Sequence, residues 1–363
     1  MALLASAACG TPREGEPHEL DAAATHGDAG VAPPWALEAF PVVASPPDNP
    51  GTDAKVALGR LLFYDPIVSA DHQVACGTCH SEFWGMSDGL PVSVGNGGGL
   101  LAGPGRHGPH VTRRNAPTLW NVAFRTSAFW DGRAASLEDQ VHFPFESSDE
   151  FARPMADVVT ELQGIPAYAG PFAAAFPEEL SPITGPTLSR AIAAFERTVI
   201  SRRGLYDAYV DGDSAAMSAS MLRGMLLFGE EGCPDCHTPP LFSSERFEDR
   251  GVPPIEGVAD AGRYEVTHDE ADRNRFKVPT LRNLHDSGPF FHTGAVKTVD
   301  EAVRHEVEQS VTRTGARPLD DGEIEDLSTF LTKALFDAEY SPSRPHEVPS
   351  GLPVPIDGFA IRR

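Results

Sequence analysis

The chain has 363 residues, which at roughly 100–200 residues per domain suggests two domains. It carries 29 Lys+Arg against 52 Asp+Glu, a formal net charge of −23, which argues against nucleic acid or anionic lipid as a partner. It contains no run of about 18 apolar residues, so no membrane-crossing helix is expected.

In chain order, the first feature is Ser6-Ala7-Ala8-Cys9-Gly10, small residues before a cysteine, as at the end of a lipoprotein signal. The expectation is a lipid anchor at Cys9, although the preceding segment is short and lacks a basic residue. Residues 10–40 are polar and rich in Pro, Ala and Gly with no apolar periodicity, so residues 1–40 read as a signal remnant and a flexible tether. Residues 341–363 hold five prolines and read as an extended tail on the surface. The 33 prolines overall, about 9% against a usual level of about 5%, predict many turns and long loops between short helices.

Four of the five cysteines form two CxxC pairs, each followed at once by histidine: Cys76-Gly-Thr-Cys79-His80 and Cys233-Pro-Asp-Cys236-His237. CxxCH is the attachment motif of c-type haem: two thiols bond one porphyrin and the adjacent His becomes an axial iron ligand. A four-cysteine zinc site or a redox dithiol are the bland alternatives. The two pairs are too far apart for the usual zinc-ribbon spacing, and neither alternative needs a His after each pair. Two covalent c-type haems are therefore expected, and with them an exported, periplasmic location.

The motifs belong to an internal repeat. Leu58-Gly59-Arg60-Leu61-Leu62-Phe63 precedes the first CxxCH and Arg223-Gly224-Met225-Leu226-Leu227-Phe228 the second. Downstream, Pro117-Thr118-Leu119-Trp120-Asn121 matches Pro279-Thr280-Leu281-Arg282-Asn283, and Trp130-Asp131-Gly132 aligns with His292-Thr293-Gly294. Between the units, Leu188, Ala191, Ile192, Phe195 and Val199 follow helical periodicity behind a capping Thr187. Met217, Met221 and Met225 read as a packing stripe. No alternating strand run is present. The expectation is a mainly α fold of two tandem cytochrome c-like domains, at 41–185 and 186–340, each with one covalently bound haem.

These motifs, with Arg114-Asn115-Ala116-Pro117-Thr118, Phe129-Trp130-Asp131-Gly132-Arg133 and Pro289-Phe290-Phe291-His292, resemble the bacterial dihaem cytochrome c peroxidases and their MauG-like relatives over about residues 40–340. The resemblance implies a peroxide-reacting haem in the first domain and an electron-transfer haem in the second, with His80 and His237 as proximal ligands. It places Trp130 between the haems. It implies Glu150, twenty residues after the Trp, as the acid–base group, Gln140 and Pro144 as pocket residues, and Glu146 and Glu138 as competitors for the acid–base role. It implies a calcium ion held by the Asn115 side chain and the carbonyls of Ser287 and Pro289, where the turn reads Ser-Gly-Pro instead of Thr-Ala-Pro. His107, eight residues before the Asn, is the candidate distal ligand of the first haem, with His110 second; its Gly-rich loop suggests that it can move.

The family's sixth ligand of the second haem is Met or Tyr, seventeen residues after Pro289. That position here is Glu306, with His305 beside it, and the sequence leaves the two open. The implied activity is reduction of hydrogen peroxide with electrons from a small cytochrome c or cupredoxin. MauG-like oxidation of Trp or Tyr in a partner protein is the enzyme alternative, and a dihaem electron carrier is the alternative of another class. A homodimer is among the expected assemblies.

Overall fold

The computed structural model describes residues 31–339 and 344–357; Cys9, the expected anchor position, lies outside them. The fold is mainly helical. Its seven longer helices are α1 (Asp53–Tyr64), α2 (Met155–Gln163), α3 (Pro166–Ala175), α4 (Gly185–Glu196), α5 (Ala219–Glu230), α6 (Val299–Thr314) and α7 (Asp321–Thr329). Strands are two residues long: Leu101–Ala102 pairs in parallel with Ile356–Asp357, and Phe247–Glu248 antiparallel with Phe276–Lys277. Among the described residues no helix is long and apolar enough to cross a membrane.

The repeat in the sequence is a repeat in space. In the first half α1 crosses α4, and in the second α5 crosses α7. Each crossing is made at a glycine. A Cβ on Gly59 would lie 1.9 Å from the Ala191 carbonyl oxygen, and one on Gly224 would lie 2.1 Å from that of Asp326. Only a residue without a side chain lets the backbones come this close. The loops repeat as well. Asn121 and Asn283 (φ 61° and 59°) and Phe129 and Phe291 (φ 69° and 65°) adopt the same left-handed conformation at equivalent positions. The bridges Ala128↔Ala134 and Phe290↔Val296 also correspond.

Two apolar cores result. The first gathers Leu58, Leu62 and Phe63 of α1, Tyr168 and Phe172 of α3, and Leu188, Ala191, Ile192 and Phe195 of α4, and extends to Val199. The second gathers Met221, Met225 and Phe228 of α5, Val303 of α6, and Ile324 and Leu327 of α7, with Met217 also in it. The methionine stripe is therefore core.

Four expectations are corrected. The helix expected to open the second domain at 186 packs on α1, so by packing the division falls after Val199. Its N-cap is Thr184, whose hydroxyl accepts from Thr187 N; Thr187 is the third helical residue of a capping box. Residues 31–40 are not tether: Trp35 joins the second core, which aromatic area brings about without any periodicity. The tail does not merely lie on the surface. Leu352 and Val354 pack on the first core, Ser350 Oγ donates to Asp65 at 2.7 Å, and Asp357 is buried.

Candidate dihaem active site

Both CxxCH motifs line one cavity of about 1190 Å³ between the halves. Short helical turns present them: Cys76–Cys79 in the first half and Cys233–Asp235 in the second. The four thiols are not paired in disulfides. Desolvation pushes those of Cys79 and Cys233 up to about 12.

The two histidines are held alike. His80 Nδ1 lies 3.1 Å from the Met86 carbonyl oxygen, with the Pro117 backbone also bonded to the ring, and His237 Nδ1 lies 3.1 Å from the Pro279 carbonyl. Pro117 and Pro279 are equivalent in the repeat. A carbonyl at Nδ1 fixes the tautomer and leaves Nε2 to face the cavity as a metal ligand. Burial holds both imidazoles down at about 4, so they stay neutral, as iron ligation requires.

The surroundings fit two porphyrins. The wall is largely apolar, and its cations can meet carboxylate side groups. Arg125 opens on the cavity; its hydrogen bond goes to the Val278 carbonyl at 3.2 Å, and among the described residues no carboxylate forms an ion pair with it. Glu245, the carboxylate that acts on it at longer range, is taken by Lys277 and Thr126.

Trp130 stands between the halves. Its Nε1 donates to the Asn115 carbonyl at 2.9 Å, and its own carbonyl accepts from Lys277 N at 2.7 Å. Its ring centroid lies 6.4 Å from that of His292, its partner in the repeat, which is stacked on Phe276 at 3.5 Å. Arg114 fastens this junction. Its guanidinium donates to Asp131 at 2.6 Å and to both oxygens of Asp260 at 2.7 Å.

On the first-half wall, Gln140, Pro144 and Glu150 all line the cavity. Burial pushes the Glu150 carboxyl above its ordinary value, while Arg133 and a Ser147 hydrogen bond pull the other way. Glu146 is exposed, and Glu138 is held by Arg197 and Asn49; neither is on the cavity wall. His107 is also exposed and off the wall. Arg106 explains why: it donates to the carbonyls of Val94, Gly95, Gly99 and Leu101, tying the Gly-rich loop into a fixed shape with His107 outward. His110 turns to Asp149 at 3.3 Å.

On the second-half wall, α6 separates the two residues the sequence left open. Glu306 lines the cavity. His305 does not; its Nε2 is 2.7 Å from the Arg250 carbonyl. The Arg250 side chain returns to Glu306, with Nε 2.6 Å from Oε2.

Asn115 and Ser287 are buried where the two halves meet. The Asn115 amide nitrogen donates to the Leu90 carbonyl at 2.8 Å, which leaves the amide oxygen for a cation. A Cβ on Gly85 would lie 2.9 Å from Ser287 N, so the loops carrying these groups are in contact. Pro289 also lines the cavity. Among the described residues no group of three or more His, Cys, Asp and Glu could hold a metal.

Sequence reasoning missed Arg250 and Glu196. Glu196 is buried on the cavity wall, its Oε2 has no hydrogen-bond partner among the described residues, and burial pushes it up to about 8. Its place four residues after Ile192, on the apolar face of α4, was the available signal.

A model of the di-haem cytochrome c peroxidase family matches residues 53–215. The methylamine utilization protein MauG of Methylorubrum extorquens is 36% identical over 296 residues, covering 80% of this chain and 80% of that protein. The chain belongs to the di-haem cytochrome c peroxidase family. The cytochrome c peroxidase Ccp of Escherichia coli is 35% identical over 80% of this chain and 60% of its own length. The crystal structure of a MauG-like protein associated with microbial copper homeostasis superposes with a TM-score of 0.74 at 28% identity, covering 86% of this chain and 98% of that one.

Proposed function

We propose that the protein is a periplasmic peroxidase that reduces hydrogen peroxide to water with electrons from a small redox protein, a cytochrome c or a cupredoxin. One observation carries the reading: a single cavity joins both CxxCH motifs, with Trp130 at the junction and Glu150, Gln140 and Pro144 on the first-half wall. Each half is then a cytochrome c-like domain, divided after Val199, with a haem bound covalently through Cys76 and Cys79 or Cys233 and Cys236. Bound haem would supply the redox-active iron that peroxide reduction needs.

The side chains supply the rest. Glu150 takes the proton from the inner peroxide oxygen and delivers it to the outer one, so that water can leave. Gln140 orients the peroxide, and Pro144 shapes the pocket. A carrier of electrons needs none of these three. His80 and His237 would each hold a haem iron, and Trp130 would carry electrons between the two sites. Asn115, Ser287 and Pro289 would hold a calcium ion where the two halves meet. Covalent haem attachment supports export, and Cys9 supplies the lipid anchor.

A second reading has its own observation. The second-half wall offers Glu306 where a methionine would favour reduced iron, and a hard carboxylate favours the ferric state. That lowers the potential of the second haem and favours oxidation of a Trp or Tyr side chain in a partner protein. The test is steady-state peroxide turnover of the holoenzyme with reduced cytochrome c, against mass analysis of proteins encoded beside it. Turnover with the cytochrome supports the first reading. Its absence, with a peroxide-dependent mass change in a partner, selects the second.

A further inference from the structure

Trp35 sits at the end of a run of aromatic rings that begins at the second CxxCH site. The backbone of Phe242 is hydrogen-bonded to the His237 imidazole. The Phe242 ring lies 6.2 Å from Trp35, and that of Phe228, which lines the cavity, lies 5.6 Å from it. The indole Nε1 donates to Tyr206 Oη at 3.0 Å. The segment is seated by more than this ring: Tyr209 Oη donates to the Val31 carbonyl at 2.5 Å, and Pro34 fills the space where Gly229 lacks a side chain. Tyr206 is buried, whereas Trp35 is half-buried and flanked by exposed Pro34, Ala36 and Leu37.

We infer that Trp35 is a second redox-active tryptophan, through which oxidising equivalents leave the second haem site for the protein surface. The inference rests on the peroxidase reading, which supplies the oxidant, hydrogen peroxide. Indole is among the most easily oxidised side chains, and electron transfer through protein falls off steeply with distance, so rings in contact favour this exit. The hydrogen bond to Tyr206 Oη spreads positive charge as the indole loses an electron. A solution donor then returns the electron. With no donor, the indole loses two electrons and takes up oxygen from water. The two electrons reduce one peroxide, so the balance is indole C–H plus H₂O₂ giving indole C–OH plus H₂O.

The experiment treats the dihaem holoenzyme with several equivalents of hydrogen peroxide and no donor, follows peroxide consumption, and maps oxygen insertion by peptide mass spectrometry. The expected result is peroxide loss with oxygen added to Trp35, exceeding that at Trp84 and Trp120. The Cys233→Ala/Cys236→Ala variant, treated likewise, leaves Trp35 intact. A holoenzyme that consumes peroxide and leaves Trp35 unmodified overturns this inference alone, as does equal modification in the variant. A holoenzyme that consumes no peroxide overturns the peroxidase reading and this inference with it.

Discussion

Arg250 holds Glu306 at both ends: Nε lies 2.6 Å from the carboxylate oxygen Oε2, and a terminal nitrogen donates to the Glu306 carbonyl at 3.1 Å. The Arg250 carbonyl meanwhile occupies His305. One residue from an irregular strap therefore fixes which of two neighbours on α6 faces the second CxxCH site. Adjacent helical residues point about 100° apart, so only one of the pair can do so.

The second haem's distal group is accordingly expected to be Glu306. Glu306→Ala should alter the near-infrared magnetic dichroism and electron paramagnetic resonance of that haem, whereas His305→Ala should leave both largely unchanged. Arg250→Gln should give a heterogeneous second-haem signal, because the carboxylate loses its anchor. A thioether charge-transfer band in the wild type, or an altered spectrum only in His305→Ala, would count against this.

Glu150→Gln should retain both haems and slow peroxide cleavage by about 10²–10⁴, the usual size of general acid–base catalysis. The pH dependence has a definite sign. The carboxylate must be ionised to accept the peroxide proton, and burial raises its pKa above the ordinary 4.5. Activity is therefore lost, as pH falls, at a higher pH than an ordinary glutamate would give. Arg133 lowers this pKa, so Arg133→Leu should move the acid limb to higher pH. A limb unmoved in that variant would remove Glu150 from the role.

The glycine crossings make a prediction about stability. Gly59→Ala and Gly224→Ala each force a methyl group against a backbone carbonyl. Each should cost about 1–3 kcal/mol or more in chemical denaturation, the usual range for overpacking. Unchanged denaturation midpoints would mean that the helices are not packed as closely as described.

The parts of the molecule legible in the sequence are those fixed by local chemistry. CxxCH, the Pro-Thr-Leu turns and the Trp130/His292 correspondence are short motifs whose spacing alone carries meaning, and all lie around one cavity. Contacts between distant segments were not legible. The assignment of α4 to the first core depends on Gly59 meeting Ala191, a contact that neither local pattern announces. Trp35 is a single aromatic in a Pro/Ala-rich stretch, so composition read it as tether. Arg250 lies on an irregular strap without periodicity, and its choice of Glu306 over His305 exists only in three dimensions.

Covalent attachment has its own test. Both haems should survive acid–acetone extraction, because thioether bonds hold them, and Cys233→Ala/Cys236→Ala should leave one. Complete loss of haem on extraction would contradict the assignment of the four cysteines.

The most direct measurement of the central claim is rapid mixing of the purified dihaem protein with hydrogen peroxide while the Soret band is recorded. A prompt peroxide-dependent spectral change is expected, slowing sharply in Glu150→Gln. A spectrum indifferent to peroxide in both ferric and ferrous protein would contradict it and leave a dihaem electron carrier.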